Sequence, residues 1–269
     1  MSLLLDRPDV AVHHAAHADL AALLPRRDDG TVCDLLCVDA PYSERTHAGH
    51  DGGIRHDGSG VIVAATSTDG RSLGPREVTR PIEYAAWSAA DVAGFVATWA
   101  PLTSGWIVSL TDTVHAPRWI AAMEAAGRYA FAPLPLVEIG SRVRLLGDGP
   151  CSWTCWVVVA RPRSREWLQH RAGRRAAYGA HCTLPGAYVV TGRGDRQVIG
   201  GKRSDVMESI VRDYSEPGDV VCDPCCGAGT ALIAALRSGR TAIGGDSLRE
   251  HAEMAARRLD ELVQRPLFV

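Results

Sequence analysis

Residues 219–246 constrain the fold of this 269-residue chain more than any other segment. Residues 219–223, with Val220, Val221 and Cys222 at their centre, predict a buried strand. It leads through Asp223-Pro224 into a glycine-rich turn, followed by a helix and a second strand. Gly227 and Gly229 let the backbone approach a ligand, and the helix N-terminus offers unpaired N–H donors. A strand–turn–helix–strand unit of this kind is typical of a parallel α/β sheet with a nucleotide-type cofactor.

An acidic residue, Asp246, ends the second strand of this unit. In doubly wound folds, an acid at that position accepts hydrogen bonds from ribose hydroxyls. The dinucleotide pattern Gly-x-Gly-x-x-Gly is broken, because Leu232 stands where the third glycine belongs. The Asp-Pro pair before the turn and the acid at the end of the next strand favour a cofactor site over an ordinary turn without a ligand. The expected cofactor carries a ribose but is not a nicotinamide dinucleotide.

The remaining sequence alternates between strand and helix patterns, which predicts an α/β fold with a doubly wound, mostly parallel sheet. Residues 129–139 and 153–160 flank a turn rich in Gly, Asp and Pro and are predicted as an antiparallel terminal hairpin. Residues 43–83 show no sustained period and are predicted as a long loop. Further strands are predicted at 33–38 and 106–110, and helices at 88–99, 114–126, 204–214, 229–238 and after Ser247. Ser88, with Asp91 three residues later, predicts a capping box at the start of the helix 88–99.

Composition excludes several classes of protein. Hydrophobic residues make up 46% and charged residues 22% of the chain, which is ordinary for a globular protein. The longest apolar runs are too short to span a bilayer, and the first ten residues lack the pattern of a secretory signal. Cysteines placed within apolar strand patterns favour a reducing compartment. We therefore expect a cytoplasmic protein that does not bind membranes.

The second informative motif is Asp39-Ala40-Pro41-Tyr42, at the end of the predicted strand 33–38. The exocyclic amine of a base is a poor nucleophile, because its lone pair is delocalised into the ring. A carboxylate and a proline carbonyl that accept its two N–H groups would aim that lone pair at an electrophile. Tyr42 offers a face on which a flipped base can stack, worth about 1–3 kcal/mol. By itself the tetrapeptide is also compatible with an ordinary strand-ending turn.

Together, the two motifs resemble those of the DNA amino-methyltransferases, which modify adenine N6 or cytosine N4 with S-adenosyl-L-methionine. Members carry Asp/Ser-Pro-Pro-Tyr for catalysis and Asp-Pro-Phe-x-Gly-x-Gly-Thr for the cofactor. Here the catalytic motif comes first, which looks like the circularly permuted β-type order. The resemblance implies a seven-stranded Rossmann-like sheet in a single methyltransferase domain, residues 1–269. It covers 10–45 and 199–262 well, and the middle only by its order of elements.

The resemblance assigns roles to individual residues. It implies catalysis by Asp39, Pro41 and Tyr42, and a cofactor pocket formed by Asp19, Lys202, Asp223, Pro224, Cys225, Gly227, Gly229, Thr230, Asp246 and Ser247. Ala40 departs from the family by replacing the first proline, and Cys225 by replacing an aromatic wall. Lys202 is the one lysine among 29 basic residues and falls at the family's lysine position before the cofactor strand; a specific role and chance placement both remain open.

A basic segment, residues 161–203, lies where the family's target-recognition region would lie. It contains ten Arg or Lys residues against two acids, a net charge of +8 in a chain of net charge −2. Such asymmetry favours a polyanionic partner, although a solvated basic surface is the alternative. We expect DNA to contact this segment and the loop 43–83, with phosphates held by Arg161, Arg163, Arg165, Arg171, Arg174 and Arg175.

No metal site is predicted. Cys222 and Cys225 form one CxxC pair, which supplies only half of a tetrahedral zinc site. Methyl transfer from a sulfonium needs no metal, and a polar, glycine-rich loop accounts for its His and Asp residues, namely His47, His50, Asp51, His56 and Asp57.

The sequence therefore predicts an S-adenosyl-L-methionine-dependent DNA methyltransferase that acts as a monomer or homodimer on the amino group of a flipped base. Asp39 in the first motif position favours adenine N6, and cytosine N4 stays possible. Two other hypotheses stay open at this point. The substrate is RNA, or the chain is a non-catalytic nucleic-acid-binding subunit with the same fold.

Overall fold

The computed structural model describes residues 1–51, 55–56, 62–64, 84–140, 150–169, 184–192, 194 and 201–264. The strands are β1 Ser2–Arg7, β2 Val10–His14, β3 Cys33–Asp39, β4 Arg55–His56, β5 Ile62–Ala64, β6 Thr103–Thr111, β7 Tyr129–Ala130, β8 Leu134–Ile139, β9 Thr154–Arg161, β10 Tyr188–Thr191, β11 Val220–Asp223 and β12 Thr241–Asp246. The helices are α1 His17–Leu23, α2 Glu44–Asp51, α3 Ala89–Trp99, α4 Ala116–Ala125, α5 at 165–169, α6 Ser204–Tyr214, α7 Thr230–Arg237 and α8 Arg249–Gln264, and Ala100–Leu102 forms a 3₁₀ turn.

One ten-stranded sheet organises the molecule, with the order β1-β2-β12-β11-β3-β6-β9-β8-β10 and with β7 paired to β9. The central strands β2, β12, β11, β3 and β6 are mutually parallel. β9 is antiparallel to both β6 and β8, which confirms the predicted hairpin. The predicted α/β class is confirmed. The sheet extends beyond seven strands, because the hairpin β1–β2 and the parallel strand β10 are added at its edges.

The packing of the core explains why β3 consists mostly of apolar residues. Leu35 packs in one hydrophobic cluster with α6, α7 and α8, whereas Leu36 packs in a second cluster with α1, α3 and α4. Successive side chains of a strand point to opposite faces, so a strand covered by helices on both sides is apolar throughout. Both leucines are at most 1% exposed, and such burial stabilises the fold by about 1.5–3 kcal/mol per side chain.

Two expectations about irregular segments were incomplete. The predicted loop 43–83 contains α2 and the short antiparallel pair β4–β5. α2 lacks an apolar period, and its start is fixed instead by tertiary contacts of Ser43 and Thr46 with Asp112. The basic segment contains α5 and β10, which the sequence did not reveal. Arg171, Arg174 and Arg175 lie outside the described residues.

Helix α3 begins where the sequence predicted. The Ser88 hydroxyl accepts the Asp91 backbone N–H, and the Asp91 carboxylate accepts the Ser88 backbone N–H at 2.7 Å. This reciprocal capping box stabilises the helix by about 1 kcal/mol. It also fixes the position of Trp87, the residue before the cap.

The parallel register brings the strand ends of interest together. β11 lies between β3 and β12, with Val221 opposite Leu35 and Asp223 opposite Gly244. Consequently Asp39, Asp223 and Asp246, which end these three strands, lie at one edge of the sheet. Across the part of the chain that the structure describes, no helix combines the length and the apolar character needed to cross a bilayer.

Candidate active site

A cleft of about 210 Å³ opens at this carboxyl edge. It brings together the two predicted motifs, which are nearly two hundred positions apart in sequence. Of the predicted site residues, it is lined by Asp39, Pro41, Lys202, Asp223, Pro224, Cys225, Gly227, Thr230, Asp246 and Ser247. The sequence did not predict the other lining residues, which include Ala16, His17, Tyr84, Trp87, Met207 and His251.

Asp246 fixes the glycine-rich turn. Its Oδ2 accepts the Gly227 backbone N–H at 2.9 Å, and its Oδ1 accepts the Leu248 backbone N–H at 2.9 Å. The His251 ring stands beside it, with Nδ1 3.8 Å from Oδ1. A carboxylate offers about four lone-pair positions, so acceptor capacity remains for a pair of hydroxyl groups. Asp246 thus both shapes the loop and presents an acceptor to the cleft.

The two glycines of the turn have different tasks. Gly227 has φ of 51° and lines the cleft, so its lack of a side chain leaves room for a ligand. Gly229, predicted at the cofactor, is the N-cap of α7 with φ of 76°. A Cβ there would lie 3.1 Å from the Ala255 Cβ, so this glycine permits α7 to pack against α8 rather than lining the cleft.

Asp223 is a buried acid at the base of the turn. Its Oδ1 accepts the Cys225 backbone N–H at 3.1 Å. Burial raises its pKa well above the usual range, and the neighbouring carboxylates of Asp39 and Asp246 add to that effect. Burial also raises the pKa of the Cys225 thiol, which lines the cleft as a neutral group where the resembled family has an aromatic ring.

The structure does not bring Asp19 into the cleft. Asp19 is exposed on α1, whereas Ala16 and His17, at the start of that helix, line the cleft. Two residues along a helix turn the side chain by about 200°, which accounts for the difference between His17 and Asp19. The His17 ring lies 4.9 Å from Phe95 and 5.8 Å from Trp87, and burial lowers its pKa.

Asp39 and Lys202 form the centre of the second half of the cleft. The Lys202 Nζ donates to both carboxylate oxygens of Asp39, at 2.8 and 2.9 Å, and lies 4.8 Å from the centre of the Tyr42 ring. The structure therefore places this ammonium on the predicted catalytic acid, whereas the resemblance assigned it to the cofactor. Burial raises the pKa of Asp39, and this effect is opposed by Lys202 and by the Tyr42 hydroxyl.

A second acid, Asp112, anchors the backbone that follows the catalytic motif. Its Oδ2 accepts the Ser43 backbone N–H at 2.9 Å and the hydroxyls of Ser43 and Thr46, while its Oδ1 accepts the His115 backbone N–H at 2.8 Å. Burial alone would raise the pKa of Asp112, but these hydrogen bonds lower it. No sequence signal indicated this contact, because Asp112 lies in another strand-end turn, after β6.

The segment before α3 closes the same region. The Trp87 backbone N–H donates to the Tyr42 carbonyl at 3.1 Å, and the Trp87 carbonyl contacts the His115 Nε2 at 2.9 Å. The Trp87 ring packs 5.3 Å from Phe95 and 6.3 Å from Trp119. A hydrophobic residue just before an N-cap often packs against the helix that follows, so the position of Trp87 before Ser88 indicated this packing. It did not indicate that Trp87 lines the cleft.

Three arginines of the basic segment lie at the ends of the strands that are farthest from the cleft. β9 runs antiparallel to β6, so Trp156 is at the cleft end and Arg161 follows five residues later, about 17 Å away. The Arg161 guanidinium stacks over the Tyr129 ring at 4.6 Å, and the Arg163 Nε donates to the Arg128 carbonyl. Arg165 follows in α5. The structure thus does not bring Arg161, Arg163 or Arg165 to the cleft, because the strand direction carries the chain away from it.

Comparisons with known proteins agree with this geometry. Residues 202–257 match the model of the DNA methylase family N6_N4_Mtase. That stretch runs from Lys202 through the glycine-rich turn into α8. No curated protein matches the chain in sequence.

Solved structures resemble the whole chain. The complex of M1.HpyAVI with SAM has a TM-score of 0.60 at 16% identity, covering 93% of this chain and 99% of that one. TTHA0409, a putative DNA modification methylase from Thermus thermophilus complexed with S-adenosyl-L-methionine, has a TM-score of 0.56 at 17% identity, covering 95% and 94%. The chain has the fold of a DNA amino-methyltransferase.

A third structure with this fold is the cytosine-N4-specific PvuII DNA methyltransferase, with a TM-score of 0.57 at 13% identity, covering 93% of this chain and 86% of that one. The family match and the shared fold confirm the resemblance inferred from the two motifs.

Proposed function

We propose that the protein is an S-adenosyl-L-methionine-dependent methyltransferase acting on the exocyclic amino group of a flipped base in DNA. The observation that carries this proposal is the shared cleft. The carboxylate of Asp39, which can orient an amine, and the turn around Gly227 and Asp246, which can hold a ribose-bearing cofactor, line one cavity. Neither motif alone would support the reaction.

The residues of the cleft fit the cofactor. Gly227 leaves space at the turn, and Asp246 retains acceptor positions for ribose hydroxyls. The rings of His17 and Trp87, 5.8 Å apart, supply another wall of the cleft. When bound, the cofactor supplies an electrophilic methyl group on a sulfonium.

At the other half of the cleft, Asp39 would accept one N–H of the target amine, and the Pro41 carbonyl would accept the other. Both contacts draw the nitrogen toward tetrahedral geometry and free its lone pair for in-line attack. Tyr42 would support the ring of the extruded base by stacking, which offsets a few kcal/mol of unstacking. Catalysis in this arrangement rests mainly on proximity and orientation.

The target base is proposed to be adenine, modified at N6, with cytosine N4 as the other candidate. The preference rests on an acid, rather than a serine, in the first position of Asp39-Ala40-Pro41-Tyr42. The proposed phosphate contacts are made by Arg171, Arg174 and Arg175. The strand ends farthest from the cleft carry the other three arginines, Arg161, Arg163 and Arg165.

The test is methyl transfer from labelled S-adenosyl-L-methionine to DNA and, side by side, to RNA, followed by mass spectrometry of the nucleosides. We expect N6-methyladenine in DNA; N4-methylcytosine would change the target base, and methylated RNA alone would change the substrate. The Asp39→Ala variant serves as the control for adventitious activity. Absence of label in both nucleic acids, with DNA still bound, would favour a non-catalytic binding subunit.

A further inference from the structure

The chain's one lysine occupies a position that the cofactor hypothesis does not explain. Lys202 is 8% exposed, and its ammonium is held by both oxygens of Asp39. A buried ammonium is costly unless it is paired, and a flexible four-carbon stem could have placed it in solvent. The pairing with Asp39 is therefore a specific feature of the site.

The geometry leaves Asp39 able to bind an amine. An ammonium shared between the two oxygens uses the inner lone pairs of the carboxylate, and the Tyr42 hydroxyl is a third donor. Of about four lone-pair positions, one outer position remains for an amine N–H. At the same time the ammonium fixes the plane of the carboxylate against rotation. Lys202 also lies over the Tyr42 ring, so one cation contacts both of the residues proposed to hold the base.

Apart from Lys202 and the Tyr42 hydroxyl, the surroundings of Asp39 oppose its charged form. Glu138, from β8, adds a negative charge nearby, and Asp223 faces it from β11. The other ionisable groups around it are the hydroxyl of Tyr42 and the thiols of Cys37, Cys155 and Cys225. Within the described residues, Lys202 is the cation that forms an ion pair with Asp39.

We propose that Lys202 is a positioning residue for the methyl-transfer reaction, which keeps the Asp39 carboxylate ionised and oriented toward the target amine, rather than a ligand of the cofactor. The inference rests on the proposed function for its kinetic consequences. The state of Asp39 itself can be tested without turnover. Without Lys202, burial and Glu138 would raise the pKa of Asp39 further, so that its protonated form would be populated at a higher pH than in the wild type.

The kinetic experiment compares kcat against pH for the wild type, Lys202→Gln and Lys202→Arg. The Lys202→Gln variant should lose activity at low pH. The acid limb of its kcat–pH profile should be displaced upward by at least about one pH unit, so that kcat at a given pH on that limb is about tenfold lower than in the wild type. Activity should recover at high pH, and arginine should restore the wild-type limb. The Kd for S-adenosyl-L-methionine should change less than about twofold, a difference well under 1 kcal/mol.

Glu138→Gln provides the matched control, because it removes the negative charge that acts on Asp39 from β8. Its acid limb should move downward, in the direction opposite to that of Lys202→Gln. A weakened cofactor Kd with an unmoved acid limb in Lys202→Gln would overturn the proposal, since that pattern belongs to a cofactor ligand.

The carboxyl carbon resonance of Asp39, identified by its loss in Asp39→Asn, gives a second test that needs no activity. Its titration midpoint should lie higher in Lys202→Gln than in wild type. An unchanged midpoint would overturn the proposal even if methyl transfer is observed. A raised midpoint in a protein without methyl transfer to DNA or RNA would support the pairing and reject the proposed function instead.

Discussion

The two halves of the cleft are built in different ways. The cofactor half is local in sequence: Asp223, Gly227, Asp246 and His251 fall within one strand–helix–strand–helix stretch. The amine half is assembled from distant segments, since Asp39 is paired with Lys202 and the backbone after it is held by Asp112 and Trp87. The match to the family model, residues 202–257, covers the first half and includes only Lys202 of the residues just named for the second.

This difference explains why the match to the family model falls mainly on the cofactor half. A loop that wraps a cofactor uses backbone N–H groups and glycine conformations, which are fixed by consecutive residues. A carboxylate that must be oriented in a buried place needs partners, and the sheet can supply those partners from any strand that ends nearby. Variants of the two halves should therefore have separable effects.

The largest effect is expected from Asp39→Ala. Methyl transfer should fall by about 10³-fold, because the amine loses the acceptor that orients it. The cofactor Kd should stay within about twofold of wild type, since the cofactor half does not depend on Asp39. Single-turnover rates and calorimetry measure the two quantities. Undiminished turnover would remove Asp39 from its catalytic role.

Asp246→Ala should have the converse effect. Loss of its hydrogen bonds to the Gly227 N–H and to the ribose hydroxyls should weaken cofactor binding by about 1–3 kcal/mol, or roughly 5- to 150-fold in Kd. Near-normal turnover is expected at saturating cofactor. Calorimetric titration with S-adenosyl-L-methionine checks the prediction, with Glu250→Ala as a nearby control outside the cleft. An equal Kd in both variants would contradict the placement of Asp246.

Asp112→Asn tests whether the amine half depends on its anchor. We expect kcat to fall by up to about tenfold through displacement of the Ser43 backbone, with the cofactor Kd preserved. Because the pKa of Asp112 is lowered in the folded state, its stabilising contribution is present above about pH 4, the unfolded value, and is lost as pH falls below it. The variant should lack this part of the pH dependence in urea unfolding. A loss of stability that is the same at every pH would contradict the ionised anchor.

The smallest effect is expected from the double variant Arg161→Ala, Arg163→Ala. These guanidinium groups lie at the edge of the sheet opposite the cleft and contact the Tyr129 ring and the Arg128 carbonyl. DNA affinity and its salt dependence should stay unchanged within error. The slope of the logarithm of the DNA-binding constant against the logarithm of the salt concentration would fall by about 2 in magnitude if two phosphate contacts were lost. That result would show that DNA contacts the strand ends that carry these arginines.

The sequence predicted most of what depends on neighbouring residues. The capping box of Ser88 and Asp91, the strand of β3 and the turn from Asp223 to Gly229 all follow from spacing and residue type. Helix α2 was missed because its polar residues, Glu44–Asp51, have no apolar period. Strand β10 was missed because its four residues, Tyr188–Thr191, are too few to establish an alternation against a basic background.

The sequence by itself determined the α/β class, the two motifs and the order in which they occur, since strand and helix periods and turn residues are local properties. Only the tertiary structure decided that Lys202 contacts Asp39, that His17 rather than Asp19 faces the cleft, and that Arg161 lies at the far edge. Those outcomes depend on strand direction, on the rotation of a helix and on which strand ends meet. Each is a relation between segments far apart in the chain, to which local spacing is blind.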